Sequence, residues 1–161
     1  MTDALEAWSE FHVAMLGATA ALAGLVIVAA SVNIGKIVAA KALTARLAAA
    51  LAGLVLAILT SGLALIPHIG GGWFGALVLI ITAAAAGFQV HAALSLRHDP
   101  GHGNPVLRAS LGFLPVAAYT AAGALLLAGQ PAGLVLAATG SLLALVVAIV
   151  ISWIALVEVL R

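Results

Sequence analysis

The hydrophobic positions of the chain fall into five long runs, separated by short stretches that contain charges, glycine or proline. Each run approaches or exceeds the roughly 20 apolar residues that a helix needs to cross a bilayer. None shows the polar–apolar alternation that is typical of a membrane β-barrel. The pattern predicts an all-α, polytopic transmembrane helical bundle that forms a single domain over residues 1–161. The five predicted spans are residues 11–34, 44–66, 73–96, 107–129 and 131–160.

Short polar segments mark where the predicted helices begin and end. Thr44 is a candidate N-cap of the second helix, because a threonine hydroxyl can accept a bond from a free N–H of the first turn. Pro67 and the run Gly70–Gly72 end that helix and form a turn. Pro131 stands near the first turn of the fifth helix, where its missing N–H costs nothing.

Composition narrows the class of protein. Hydrophobic residues make up 65% of the chain and charged residues 7%, against about 45–50% and about 25% in soluble domains. The six basic and five acidic residues nearly cancel, so no basic patch is available for nucleic acid. The absence of cysteine removes thiolate metal sites and cysteine nucleophiles. We expect a non-enzymatic protein that lies in the lipid bilayer and has no cofactor, no metal and no nucleic-acid partner.

The basic residues predict the orientation of the chain. With five spans, every lysine and arginine falls on one side of the membrane and none on the other. Because basic residues concentrate on the cytoplasmic side, the N-terminus is predicted outside and the C-terminus inside. The six residues are Lys36, Lys41, Arg46, Arg97, Arg108 and Arg161.

Aromatic residues agree with this orientation. Tryptophan is enriched at the level of the lipid headgroups. Trp8, Phe11, Trp73 and Phe74 are expected at the outer interface, and Trp153 lies toward the inner one.

Small residues recur at helical spacing in the first two spans. They allow membrane helices to approach closely, which matters where no hydrophobic force acts between helices. Such a packing stripe predicts contacts within the bundle, with contact to another copy as an added role. Its members are Gly17, Ala21 and Gly24 in the first span and Ala49, Gly53, Ala57 and Ser61 in the second.

The middle of the five spans contains no Asp, Glu, Lys, Arg or His. Since an ionisable residue at membrane depth marks proton relays and catalytic sites, its absence disfavours a pump or an intramembrane enzyme. Serine and threonine hydroxyls at this depth are expected to bond to the carbonyl four residues earlier. Tyr119 is the exception, because its buried hydroxyl needs a partner. We expect a hydrogen bond inside the bundle, in a helix that Pro115 can kink.

A candidate polar cluster lies at the inner edge of the membrane. Its residues are Ser31, Asn33, Gln89, His91 and Glu158, all in the last turns of predicted spans. Gln89 and a neutral His91 would seek partners, and residues of similar depth are available. The cluster predicts either an interhelical polar clamp, worth under about 1 kcal/mol per bond, or a cytoplasmic vestibule or proton-sensitive gate.

A second candidate cluster lies on the outer side, where Glu10, His12 and His68 could approach one another and bind a cation. The loop that contains His98 and His102 also offers metal-ligand side chains. However, a Pro-Gly turn separates these two histidines, which favours a solvated turn.

The first span has a recognisable pattern. It reads Trp8-x-x-Phe11, then Ala21-Leu22-x-Gly24-Leu25-x-x-Val28-Ala29-x-Ser31-Val32-Asn33, and Leu65–Pro67 and Trp153 fit the same pattern. The chain resembles a group of small uncharacterised bacterial multi-pass membrane proteins. The resemblance implies a bundle of five helices in the bacterial cytoplasmic (inner) membrane and transfers no catalytic residue.

Two hypotheses about function follow. The first is a small non-enzymatic bundle that self-associates as a homo-oligomer or serves as an accessory subunit of a larger membrane complex. The alternative is a homo-oligomeric channel, lined by small and hydroxyl residues of the first or second span and gated by dewetting. Ser31, Asn33 and Ser61 are the candidate lining residues.

Overall fold

A computed structural model describes residues 2–97 and 105–160, with side chains over residues 4–95 and 110–157. This part of the chain is all-α and contains seven helices. They are α1 (Thr2–Ala7), α2 (Ser9–Val32), α3 (Ile34–Ala39), α4 (Lys41–Ala64), α5 (Gly71–Arg97), α6 (Pro105–Leu127) and α7 (Ala132–Leu160).

Five of the seven helices in the described ranges are long and apolar enough to cross a membrane, which confirms the predicted number of spans. The chain therefore has the features of a multi-pass membrane protein. The candidate spans are Ser9–Val32, Lys41–Ala64, Gly71–Ser95, Ser110–Leu127 and Ala132–Val157.

The predicted helix starts are wrong at two places. Thr44 is not an N-cap, since α4 begins at Lys41 and Ala40 occupies the cap position. The Thr44 hydroxyl instead donates to the carbonyl oxygen of Ile37, at 2.7 Å, and so ties α3 to α4. Gly71 and Gly72 belong to the first turn of α5 rather than to the preceding turn. Because glycine lacks a β-carbon, it can adopt the backbone conformations of both a turn and a helix, and its presence alone does not distinguish between them.

Two short helices pack against the long ones. Leu5 of α1 is buried in the largest apolar cluster of the described side chains. Ile37 of α3 is buried beside Val26 and Leu43. Each short helix thus carries one apolar anchor, which holds it against the bundle.

The long helices form a ring of four with a fifth helix outside it. Around the ring α4 packs on α5, α5 on α6, α6 on α7 and α7 on α4. The remaining span, α2, packs on the outside of α4 and over a smaller area on α7. We call α4–α7 the ring and α2 the peripheral helix.

Glycines bring the backbones of the ring helices close together. A β-carbon on Gly75 would lie 2.9 Å from the backbone nitrogen of Leu127 and 3.0 Å from the carbonyl oxygen of Gly123. A β-carbon on Gly133 would lie 2.7 Å from the carbonyl oxygen of Ala122. Contacts this short exclude any side chain, so α5, α6 and α7 meet nearly backbone to backbone.

Neighbouring ring helices are antiparallel, and this order sorts the charges. Gln89 of α5 reaches Ala49 of α4, and Leu47 of α4 packs with Val26 of α2 and Ala155 of α7. Lys36, Lys41 and Arg46 therefore share one end of the bundle with the end of α5 and the start of α6, and we call it the basic end. Glu6, Glu10, the α4–α5 turn and the α6–α7 turn share the other, which we call the acidic end.

Candidate functional site

A layer of hydroxyl groups crosses the ring in the half nearer the acidic end. Tyr119 of α6 is fully buried, and its phenol oxygen lies 2.7 Å from Oγ of Ser141 on α7. Ser141 also donates to the carbonyl oxygen of Ala137, at 3.2 Å. Because this uses the only proton of the serine hydroxyl, Tyr119 acts as the donor to Ser141.

The backbone leaves room for the tyrosine ring on the facing helix. A β-carbon on Gly140 would lie 2.9 Å from Cδ2 of Tyr119. The phenol ring of Tyr119 therefore packs flat against the backbone of α7. Pro115 lies one turn before Tyr119, and α6 continues through it.

Most hydroxyls in the spans satisfy themselves within their own helix. Thr19, Thr82, Thr120 and Thr139 each donate to the carbonyl oxygen four residues earlier, at 2.6–2.8 Å. Their side chains need no partner on another helix, so they carry no information about assembly.

Thr60 and Ser61 of α4 depart from this behaviour. Both are buried, and neither hydroxyl has a hydrogen-bond partner among the described residues. Thr60 lies beside Tyr119 but outside hydrogen-bond geometry. An unsatisfied buried hydroxyl costs about 1–3 kcal/mol. Sequence reasoning missed the unsatisfied hydroxyls of this pair because it expected serine and threonine in the spans to bond within their own helix.

The predicted inner-edge cluster is not assembled. Ser31 is exposed and donates to Val28 in its own helix, and Asn33 donates to Ala29. His91 is also exposed, whereas Gln89 points into the ring. The predicted contact among these four residues is wrong, because Ser31 and His91 face away from the bundle while Gln89 faces into it. Gln89 nevertheless forms an interhelical bond, as the clamp interpretation predicts. The side chain of Glu158 lies outside the described residues.

Gln89 forms an interhelical bond without its predicted partners. Its side-chain nitrogen donates to the carbonyl oxygen of Ala49, at 3.2 Å. Its oxygen lies against Gly112, where a β-carbon would collide with it. The glutamine therefore joins α4, α5 and α6 near the basic end.

A small cavity lies near Asn33 at the basic end. Its volume is about 30 Å³, and Asn33, Ser152 and Ala155 are among its lining residues. Oγ of Ser152 has no partner among the described residues. The space is sufficient for about one or two water molecules.

The predicted outer cluster is also not assembled. His12 is 1% exposed, and neither ring nitrogen has a hydrogen-bond partner among the described residues, while Glu10 and His68 are exposed. Side chains two positions apart on a helix point about 200° away from each other, so Glu10 and His12 lie on opposite faces of α2. Within the described ranges no three His, Asp or Glu side chains are placed to hold a metal ion. His98 and His102 lie outside the described residues.

The predicted packing stripe divides into two halves. Ala49, Ala57 and Ser61 of α4 are at most 1% exposed, and Gly53 is buried with them. In contrast, the α2 half faces away from the bundle. The expectation of packing within the bundle is wrong for these three residues, which are Gly17, Ala21 and Gly24.

Burial also bears on the candidate pore and on the aromatic residues. Ser61 is enclosed by its own chain, so it cannot line a pore between copies. Phe74 is fully buried inside the ring rather than at an interface, because it is the inward-facing neighbour of Trp73. Trp73 and Trp153 are 75% and 67% exposed, and they lie toward the acidic and the basic end respectively.

Comparison with known proteins gives no relative: no family model, no curated protein and no solved structure matches the chain.

Proposed function

We propose that the chain is a non-enzymatic integral membrane protein of the bacterial cytoplasmic membrane, and that it pairs with a second copy through the exposed face of α2. One observation carries this proposal. The glycine-containing half of the packing stripe lies on the face of α2 directly opposite its buried residues, and no atom lies within 4 Å of a β-carbon built on Gly17 or Gly24.

The exposed glycines need an explanation that lipid does not supply. A glycine inside a helix is less favourable than alanine by about 0.8–1.0 kcal/mol. Gly75 and Gly123 offset this cost by close contact inside the ring, whereas Gly17 and Gly24 make no such contact with any described residue. A second helix packed on this face would use the small surface as the ring does.

A copy of the same chain suits this face for a geometric reason. Two copies inserted with the same orientation place their α2 helices parallel to each other. A two-fold axis along the membrane normal then brings Gly17, Ala21 and Gly24 of one copy against the same residues of the other. The interface is self-complementary and requires no charged partner.

Cysteine crosslinking tests the pairing directly, because the chain has no native cysteine. Ala21→Cys should give a disulfide-linked dimer after mild oxidation in the native membrane. Adding Gly24→Leu should remove most of that dimer, since the leucine side chain separates the helices. Ala84→Cys is the matched control, because Ala84 is also an exposed alanine but lies on α5. Equal crosslinking at both positions, or none at Ala21, would contradict the proposal.

The orientation of the bundle is a separate part of the proposal. The absence of lysine and arginine from the acidic end supports an outer location for that end. Exposed residues at the two ends provide the test, with Gly70→Cys at the acidic end and Lys41→Cys at the basic end. A membrane-impermeant thiol reagent added to intact cells should label only Gly70→Cys. Labelling of Lys41→Cys instead would reverse the orientation, and equal labelling of both would contradict a membrane crossing by α4.

A further inference from the structure

A cavity of about 240 Å³ lies at the acidic end, between α1 and the end of α4. Engineered protein cavities of about 150 Å³ already accept benzene, so the space suits a small organic molecule. Its walls come from three parts of the chain, which are the α1–α2 corner, the last turn of α4 and the turn that leads to α5. The lining residues include Leu5, Glu6, Ser9, Ala64, His68 and Ile69.

In the described part of the chain, one carboxylate and no lysine or arginine line this cavity. Glu6 is exposed and lines the cavity, and no basic side chain pairs with it among the described residues. The sequence contains no lysine or arginine before Lys36 and none between Arg46 and Arg97. A bound group with a positive charge would therefore meet a carboxylate with no competing lysine or arginine, and His68 is the one other titratable side chain among the described residues of the wall.

The end of α4 adds to the same field. Ala64 is the last residue of α4 and lines the cavity together with Leu65 and Ile66. The carbonyl groups at a helix C-terminus carry a partial negative charge and favour cations. The carboxylate and the helix end lie on different elements, and each favours a positive charge.

The remaining wall is apolar. Leu5 is 4% exposed and Ala64 is 8% exposed, and Ile69 packs against the same apolar cluster. Such a wall can accept methyl or methylene groups, which a bare metal ion does not offer. The combination of an apolar wall with one carboxylate fits an organic ammonium group better than an inorganic cation.

We propose that this cavity binds a small organic ammonium group, with Glu6 as its counterion. The group can belong to the headgroup of an amine-containing phospholipid or to a free amine, since both present the same chemistry at this level of the bundle. The proposal is independent of pairing through α2, because the cavity lies at one end of the molecule and involves no exposed face of that helix.

The test titrates tetramethylammonium chloride into the full-length protein in phosphatidylglycerol nanodiscs, against sodium chloride at equal ionic strength. Trp8, which adjoins Ser9 of the cavity wall, reports binding by fluorescence in a Trp73→Phe/Trp153→Phe background. We expect a saturable change with tetramethylammonium only. Glu6→Gln should weaken binding by about tenfold or more, because an ion-paired contact is lost.

Glu10→Gln is the matched control. It removes the same charge from the same end of the bundle, but Glu10 does not line the cavity. Its affinity for tetramethylammonium should stay close to that of the parent protein. Equal weakening by both variants would reduce the effect to general surface charge and overturn the proposal, as would a response that does not saturate.

A second variant covers the case in which Glu6→Gln alters the fold. Ala64→Leu keeps every charge and fills part of the cavity, so it should also abolish saturable binding while the helical circular dichroism is retained. Unchanged binding in Ala64→Leu would place the cation elsewhere and overturn the proposal. Nanodiscs that also contain phosphatidylethanolamine identify the source: competition with tetramethylammonium supports a lipid headgroup, and unchanged affinity supports a free amine in the same cavity.

Discussion

The helices α2 and α4 are nearly identical in length and in mean hydropathy. Each has 24 residues, and their mean hydropathies are 2.3 and 2.2. Their places in the bundle nevertheless differ. In the most apolar stretch of 18 residues, 22% of the residues are buried in α2 and 50% in α4. Hydropathy thus indicates whether a helix can lie in the bilayer, but it does not indicate which helix is buried at the centre of the bundle.

The difference lies in how many partners each helix has. On the ring helix α4, buried residues face α2, α5 and α7. The buried residues of α2 form a single stripe at helical spacing, which runs His12, Met15, Thr19, Ala23 and Val26. One buried stripe is the mark of a helix with partners on one side only.

The sharpest test of this comparison exchanges glycine for alanine in both places. Gly75→Ala in the ring should destabilise the protein by about 1–3 kcal/mol, because the added methyl group meets backbone atoms of α6 that cannot move independently. Gly24→Ala on the peripheral helix should change stability by less than about 1 kcal/mol, in the stabilising direction for the monomer. Unfolding in mixed micelles, followed by circular dichroism, gives both values. Equal losses would show that α2 is packed as tightly as the ring.

The hydroxyl layer gives a smaller effect. Tyr119→Phe removes the donor to Ser141 and should cost about 0.5–1.5 kcal/mol. Thr120→Val, at the next position on α6, removes a hydroxyl that is exposed and bonded to its own helix. That control should lie near zero in the same unfolding measurement. A loss in Thr120→Val as large as in Tyr119→Phe would mean that the buried bond contributes nothing of its own.

The smallest effect has the opposite sign. Ser61→Ala removes a buried hydroxyl that has no partner among the described residues, so the variant should be as stable as the parent or more stable by up to about 1 kcal/mol. Ser141→Ala is the counterpart on α7 and should be destabilising, because Tyr119 would then lose its acceptor. If Ser61→Ala is destabilising instead, the serine has a partner such as an ordered water.

The sequence was sufficient for the features that depend on long-range composition. The number of spans follows from the length of each apolar run, since lipid forces every backbone group to bond within a helix. The need of Tyr119 for a partner follows from its chemistry alone. The identity of that partner does not, because Thr139, Ser141 and Ser152 all offer a hydroxyl on α7.

Side-chain direction is the information that the sequence lacked. Gln89 and His91 are two positions apart and of similar polarity, yet one enters the ring and the other faces outward. Helix periodicity places such neighbours on different faces, but only the packing of the ring decides which face is inside. For the same reason the sequence did not show whether the packing stripe contacts the bundle or another copy. It also did not show that Gly24 is exposed and Gly53 is buried.

The contact between α4 and α7 has a consequence for synthesis of the protein. It joins the second span to the fifth, so the ring cannot close until the last helix has left the ribosome and entered the bilayer. Until then α4 holds Thr60 and Ser61 against lipid or against the insertion machinery. The α2–α4 hairpin can form early, and α2 then shields one side of α4 during this interval. The span with the smallest buried fraction is thus the first that can shield α4.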